Sequence, residues 1–533
     1  MALPAIFNRD RGRRLAAIAA LVLFQGCAAG GAAFATRALF AAMHGGDALP
    51  PAALAALVAA GAVIALTRVA ARVLGERLGQ DYAREVRAAL FDRAARMPAR
   101  AVAERRAGYM SLRFVGDMTA FRNWIGLGIP RLVAGAILIP ATLMILVLLD
   151  PVFGLVVLPI IGVTLLCSLA GGRRLVGLQR TLRQRRARIA ADMAERMPLA
   201  PHLDRLGRRG KELALLDKRT DALIRAALRH RRLAETLRAL PELAGGLAAA
   251  LLILAGYAQG VPPAGIAAAL ATMGLLLGPL RDLGGVLNHR AAYRAAAIKA
   301  EAALARKTRD LYRGGRAVGQ GPIDVTFEGV ALPSGRTLDM HIDGGAEISL
   351  PLDELDCQAV GDALLGLDDL PRGRILLSGV DLRDLSRGSL RRGVLRIGTS
   401  PEILQGSLRR VLLMGVTRRI GDPALADLAA SVGLGPALAR LGGLDGTVRE
   451  GGGNLTRAER VSLCIARAHL IRPRLVIVDA SCDAAMHDRI DAYVGTRSAT
   501  VIRQGSERTC GRTGGTAIAA RQARECRHLL PQT

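Results

Sequence analysis

Aromatic residues are scarce, at 3% of 533 residues, and tryptophan occurs once. Few rings are therefore on hand to stack on bases, drugs or peptides. Acids are also in short supply: 45 Asp and Glu face 73 Lys and Arg, giving a formal charge of +28. No basic stretch is interleaved with aromatics, so the charge does not read as a nucleic-acid module. The seven cysteines (Cys27, Cys167, Cys357, Cys464, Cys482, Cys510, Cys526) contain no CxxC and no metal-ligand spacing with histidine. That argues against a disulfide framework and against a metal site. LVLFQGC, ending at Cys27, is a poor lipoprotein box, because Gln25 precedes the cysteine and the apolar run continues past it.

Hydrophobic residues are plentiful, at 51% with a mean hydropathy of +0.29. They gather in three pairs of runs: Leu15–Thr36 with Pro51–Thr67, Leu132–Leu149 with Pro151–Gly172, and Leu243–Val261 with Pro262–Leu280. Each approaches the ~20 residues that cross about 30 Å of hydrocarbon, which predicts six membrane spans in three hairpins. RDRGRR precedes the first run, and two long arginine-rich segments, REVRAALFDRAARMPARAVAERR and GGRRLVGLQRTLRQRRARIAADMAERM, join the hairpins. The turns at the hairpin tips, HGGDALPP, Asp150 and QGVPP, carry no lysine or arginine. The positive-inside bias then puts the N-terminus and everything after Leu280 in the cytosol. The two basic segments have helical spacing and are expected to extend the spans, turning near ERRAGYM and near MPLAPHLDRLG. Arg37 and Arg68 border the first two spans, where they either snorkel to headgroups or line a path for an anionic or zwitterionic cargo. Gln25, mid-span, is suited to hydrogen-bonding a neighbouring helix.

RRAGYMSLRFVGDM, with Arg105, Gly108, Arg113 and Asp117 at R-x-x-G-x-x-x-x-R-x-x-x-D spacing, follows the second span. Gly373–Gly415 reads GRILLSGVDLRDLSRGSLRRGVLRIGTSPEILQGSLRRVLLMG, and Gly451–Ala480 reads GGGNLTRAERVSLCIARAHLIRPRLVIVDA. With the six spans, these stretches resemble the exporter-type half of an ATP-binding-cassette (ABC) transporter. The resemblance covers nearly the whole chain and weakens after about Asp488. It implies an α-helical membrane domain, residues 1–310, with six transmembrane helices and long cytoplasmic extensions. An α/β ABC-ATPase-like domain follows, residues 311–533. It also implies a multi-pass protein of a bacterial inner membrane.

The family's phosphate loop, GxxGxGK[ST][ST], wraps phosphates in backbone N–H groups, neutralises them with lysine and holds magnesium with a hydroxyl. Here the stretch is LPLDELDCQAVGDALLGL. The glycine positions fall on Pro351, Glu354 and Asp356, the lysine on Cys357, and the hydroxyls on Gln358 and Ala359. Proline removes a donor, and Asp353, Glu354 and Asp356 face a polyanion with like charge, so the loop should not hold ATP. These acids are otherwise expected to form a solvated turn. No adenine-stacking aromatic occurs in Ala331–Gly335. The Q-loop glutamine falls on Thr399, and the LSGGQ signature reads Leu455, Thr456, Arg457, Ala458, Glu459. Walker B keeps Asp479, but its general-base glutamate is Ala480; the D-loop aspartate falls on Met486, and the switch histidine falls near Ser506. Without base, lysine or switch histidine, hydrolysis in this chain lacks its machinery.

The kept residues also have plain structural roles open to them. Asp479 can close a buried strand, Thr456 can cap a helix, and Arg467 is expected to be solvated or to brace its helix. IDVTFEGVAL, RILLSGVDL and RLVIV keep strand patterning, so the losses concentrate at nucleotide-contacting positions. The expectation is a non-catalytic half of an exporter that binds neither metal nor cofactor. It would pair with an ATP-competent half that supplies ATP and magnesium. The alternative is a non-transporting scaffold, homodimeric or partner-binding, that kept the fold and dropped the motor.

Overall fold

The computed structural model describes residues 3–103, 118–370, 372–479, 481–496 and 498–505. Arg105, Gly108, Arg113, Asp117, Ala480, Ser506 and the segment 507–533 lie outside the described residues. The chain divides into two compact units, Met1–Ala95 with Arg105–Arg306, and Arg96–Glu104 with Lys307–Thr533. The short Arg96–Glu104 piece groups with the second unit, where the Ala99 N–H donates to the Leu367 carbonyl at 2.8 Å.

Long helices build the first unit: α1 (Arg9–Gly45), α2 (Pro51–Ala95), α3 (Ile129–Leu149), α4 (Pro151–Arg196), α5 (Arg209–Ala258) and α6 (Pro263–Leu304). Asn8 caps α1 by accepting from the Arg11 N–H at 2.8 Å, and Asp150 caps α4 by accepting from the Val152 N–H at 2.9 Å. Each helix except α3 runs well beyond its apolar stretch, because the arginine-rich flanks are Ala- and Leu-rich and carry the helical period onward. The α4–α5 extensions are joined by ion pairs, Arg196–Glu212 at 2.8 Å and Arg219–Asp192. Between them the chain turns through Met197–Leu199 and Ala200–Arg205, the segment whose sequence predicts a break.

A feature absent from the sequence reading precedes α3: a π-helical turn, Trp124–Gly128. Its Gly126 packs against Gly75 and Gly79 of α2. A Cβ on Gly79 would sit 2.5 Å from the Arg122 carbonyl oxygen, and one on Gly75 would sit 2.6 Å from that of Gly126. Only glycine permits the two backbones to meet this closely. Four of the rare aromatics, Tyr82, Phe121, Trp124 and Tyr293, cluster beside this crossing, with Phe121 edge-on to Tyr293 at 5.6 Å.

The second unit contains two sheets. The antiparallel one has the order β2-β1-β4-β5, from β1 (Val325–Ala331), β2 (Thr337–Ile342), β4 (Arg374–Leu377) and β5 (Val380–Asp381). The parallel one has the order β3-β10-β9-β6, from β3 (Glu347–Leu350), β6 (Val394–Ile397), β9 (Leu475–Val478) and β10 (Thr500–Gln504). A ribbon of β7 (Gly406–Ser407) and β8 (Thr447–Val448) completes the strands. All four residues of β9 are buried, as expected for a central strand covered on both faces. The named helices are α7 (Glu354–Leu364), α8 (Arg387–Gly393), α9 (Leu408–Leu412), α10 (Asp422–Ala429), α11 (Gly435–Leu441), α12 (Arg457–Ile471) and α13 (Ala484–Val494).

Seven helical segments among the described residues are long and apolar enough to cross a membrane. Six belong to the first unit. The seventh, Asp422–Leu441, covers α10 and α11 and is broken at Gly433, where φ is 91°. Its apolar side chains Leu425, Ala429, Leu434 and Ala437 are already buried against Leu408 and Leu463 in the second unit's own core.

Candidate functional site

The turn from β3 into α7 is where the sequence places its altered phosphate loop. Strand β3 ends at Leu350 and α7 starts at Glu354, so only Pro351, Leu352 and Asp353 connect them. Asp353 is the N-cap, its carboxylate accepting from the Asp356 N–H at 2.9 Å. The Cys357 N–H is taken by the Asp353 carbonyl at 2.8 Å. The second half of the expected loop has become the first turn of a helix. With no glycine from Pro351 to Ala359 and acids suited to a helix N-terminus, the backbone donors go into the helix and its cap.

Asp356 corrects the expectation of a solvated turn. It is fully buried and accepts from the Ser334 N–H at 3.0 Å and from the Ser334 hydroxyl at 2.5 Å. Its carboxylate therefore ties α7 to the β1–β2 loop, the place where the sequence lacks an adenine-stacking ring. Asp353 and Glu354 are exposed. Cys357 is buried, its Sγ 3.4 Å from the Leu352 carbonyl oxygen. Burial, helped by the Asp353 and Asp479 charges, pushes its thiol up to about 11, so the reactive thiolate is not formed near neutrality. The Cys357 carbonyl accepts from the Gln504 side chain at 2.7 Å, pinning α7 to the end of β10. Gln358 is exposed with its carbonyl 3.5 Å from Arg396, and Ala359 is half-buried. Arg396 also pairs with Asp362 of α7 at 3.1 Å.

Thr399 and Asp479 come together beyond the ends of β6 and β9. The Asp479 N–H donates to the Ile397 carbonyl at 2.9 Å, and the Thr399 hydroxyl lies 2.8 Å from that of Ser481. Asp479 accepts from the Ser481 N–H at 3.3 Å, which closes the strand end locally. Met486 is buried in the core, and Asp483 caps α13 by accepting from its N–H at 2.9 Å. Burial raises the neighbouring Cys482 thiol to about 12.

At the start of α12, Thr456 and Glu459 form a capping box: the Glu459 N–H donates to the Thr456 hydroxyl at 3.2 Å, and the Thr456 N–H to Glu459 at 2.8 Å. Glu459 is buried and receives a two-pronged bond from Arg440 at 3.0 and 2.8 Å, which holds its carboxyl below the usual range. Leu455 is buried, Ala458 half-buried and Arg457 exposed. No local pattern points to Arg440, since its contact with Glu459 depends on how α11 folds back. Arg467 is buried rather than solvated and donates to the Val411 carbonyl at 3.0 and 2.8 Å, bracing α12 on α9. Both helix N-termini on which the sequence reading centres are thus satisfied by the chain's own carboxylates. Among the described residues, no group of three or more His, Cys, Asp or Glu is placed to hold a metal ion.

Several long apolar helices followed by a mixed-sheet α/β unit define an integral membrane protein with an attached second unit. Residues 16–261 match the ABC transporter transmembrane region, and the chain is similar to ABC exporters. One relative is the Beta-(1-->2)glucan export ATP-binding/permease protein NdvA of Mesorhizobium japonicum, 31% identical over 121 residues, 22% of this chain and 20% of that protein. A second is the ATP-dependent lipid A-core flippase of Methylobacillus flagellatus, 26% identical over 258 residues, 46% of this chain and 43% of that protein. A third, human ATP-binding cassette sub-family C member 8, is 28% identical over 138 residues, 25% of this chain and 9% of that protein. The similarity spans less than half the length of each of these relatives.

Proposed function

We infer that this chain is the nucleotide-blind half of an ABC-type exporter. Its first unit contributes six spans to a cargo pathway, and its second unit is an ABC-ATPase-like body that binds no ATP. The partner is an ATP-competent half, which brings its own phosphate loop, base and switch histidine. The positive-inside bias supports a cytoplasmic N-terminus and a cytoplasmic second unit in a bacterial inner membrane. The similarity to an ABC transporter transmembrane region supports the transport role. The relatives carry a glucan export activity and a lipid A-core flippase activity in their names. Of those two cargoes, the aliphatic spans with few aromatics favour the lipid-like one.

One observation carries the nucleotide-blind reading: the three-residue β3–α7 turn, with Asp356 buried on Ser334. A polyphosphate there would have to displace a carboxylate already hydrogen-bonded inside the protein, with no lysine to compensate. The α12 start is closed in the same way by Glu459, so closure on a partner's nucleotide would rely on exposed Arg457.

The test is photo-crosslinking of 8-azido-ATP to the purified full-length chain, alone and with a co-purified half-transporter. Labelling confined to the partner is the expected result. Labelling of this chain alone overturns the reading. A chain that finds no partner and takes no label is a scaffold instead.

A further inference from the structure

A groove of about 290 Å³ lies between the arginine-rich extensions of α4 and α5 in the first unit. Arg185 and Arg188 of α4 line one side, and Lys218 and Arg219 of α5 line the other. Ile189, Leu215 and Ala222, each half-buried, supply the apolar lining, which contains no acid among the described residues. Arg219 is paired with Asp192. Arg185, Arg188 and Lys218 have no ion pair or hydrogen bond among the described residues, and the Arg185 Nε is buried without a partner. Elsewhere in the same hairpin the arginines are laced with acids. Arg196 pairs with Glu212 at 2.8 Å toward the tip, and Arg231 and Arg238 both pair with Glu235 at 2.9 Å toward the apolar run.

Attraction to lipid headgroups does not account for the groove. Arg185 lies between three and four turns past Gly172, where the fourth apolar run ends, or about 20 Å along the helix. The headgroup layer extends about 7 Å beyond the hydrocarbon, and screening at physiological salt acts over about 8 Å. Solvation accounts for Arg188 and Lys218, which are exposed, but not for the half-buried Arg185 or for the apolar surface left between the two basic rims. Like charges one turn apart on α4, faced by two more on α5, repel one another. A ligand with carboxylates beside an apolar face relieves the repulsion and covers Ile189 and Leu215. That is the chemistry of an acidic amphipathic helix laid in a groove. The lining offers no aromatic ring to a nucleobase, and an apolar strip gives nothing to a compact phosphate. This chain does not supply the occupant itself: a second copy carries the same +28, and residues 507–533 hold five arginines against two glutamates. We propose that the groove docks an acidic amphipathic helix of a different protein, with its carboxylates on Arg185, Arg188 and Lys218 and its apolar side chains against Ile189, Leu215 and Ala222.

This rests on the cytosolic placement of the α4–α5 extensions. The purified full-length chain in nonionic micelles is titrated against a fluorescein-labelled amphipathic Leu/Glu helical peptide, following anisotropy, with empty micelles as the baseline. Saturable binding is expected, and R185Q/R188Q/K218Q should weaken it at least about tenfold, the scale of losing close charge pairs across an interface. R225Q/R229Q/R232Q removes as much charge from the same hairpin outside the groove lining, and should change the affinity by less than about threefold because distant charges are screened. R188E, at an exposed position, should also weaken binding and serves as the readout if the triple variant does not fold.

An unchanged affinity in the groove variants, or an equal loss in R225Q/R229Q/R232Q, overturns the site. Equal binding of a Leu/Lys peptide overturns the charge match, and equal binding of an all-Glu peptide overturns the apolar contact. Displacement of the peptide by equimolar tripolyphosphate overturns the protein partner in favour of a phosphate site. No saturable binding of the Leu/Glu peptide overturns the proposal outright. None of these residues belongs to the second unit, so failure here and failure of the nucleotide-blind reading are told apart.

Discussion

Asp356 is a structural joint at the position where the sequence resemblance places a phosphate loop. A carboxylate at a helix N-terminus gains from the same N–H groups and dipole that otherwise attract phosphate. Asp356 keeps its charge at that end of α7 and takes its hydrogen bonds from Ser334 of the β1–β2 loop. Asp356→Ala should strand the Ser334 donors and lower the stability of the second unit by roughly 1–3 kcal/mol. Thermal denaturation of the full-length variant would check this, and an unchanged midpoint would remove Asp356 from its structural role. Cys357→Lys is expected to leave ATP binding absent while lowering the midpoint. The lysine enters a buried position where the native thiol is already held neutral, and Pro351 and the three-residue connection remain. Micromolar or tighter nucleotide binding by that single variant, measured by equilibrium dialysis, would refute the account of the turn.

At the scale of elements, the start of α12 combines a cap with an ion pair. Thr456→Ala should cost about 1 kcal/mol, the usual loss for an N-cap. The Arg440–Glu459 bond gives a pH prediction as well. Glu459 has a folded pKa below its unfolded value, chiefly through the Arg440 hydrogen bonds. The stability it contributes is therefore present above the unfolded value, about 4.3, and is lost as pH falls through the lower folded value. Arg440→Gln weakens that depression, so stability should be smaller near neutrality and less of it should be lost on acidification. Denaturant midpoints between about pH 7 and about pH 3 would show a shallower acid limb for the variant. Much of this level was legible in the sequence. The strands at IDVTFEGVAL, RILLSGVDL and RLVIV and the helix RAERVSLCIARAHL formed where period and turn residues put them. The π turn at Trp124–Gly128 was not legible, because nothing local distinguishes WIGLG from an ordinary helix; the close approach to Gly75 and Gly79 is a tertiary fact. The burial of Asp356 was hidden for a similar reason, since its partner Ser334 stands 22 residues upstream on another loop.

For the whole molecule, the question is whether a chain that keeps this α/β body still responds to nucleotide. A ligand that binds only the folded state stabilises it by RT ln(1 + [L]/Kd), about 2.7 kcal/mol at a hundredfold excess over Kd. In a functioning cassette, millimolar MgATP would move the unfolding midpoint by several degrees. Here the Asp356 N–H is taken by Asp353 and the Asp356 carboxylate by Ser334, while the Thr456 and Glu459 N–H groups are taken by each other's side chains, with Arg440 on Glu459. The full-length chain in micelles is therefore expected to unfold at the same temperature with and without MgATP. A thermal shift of several degrees with MgATP would overturn the nucleotide-blind reading. It would place a nucleotide site in the second unit and mean that the Asp356–Ser334 and Thr456–Glu459 hydrogen bonds give way to phosphate.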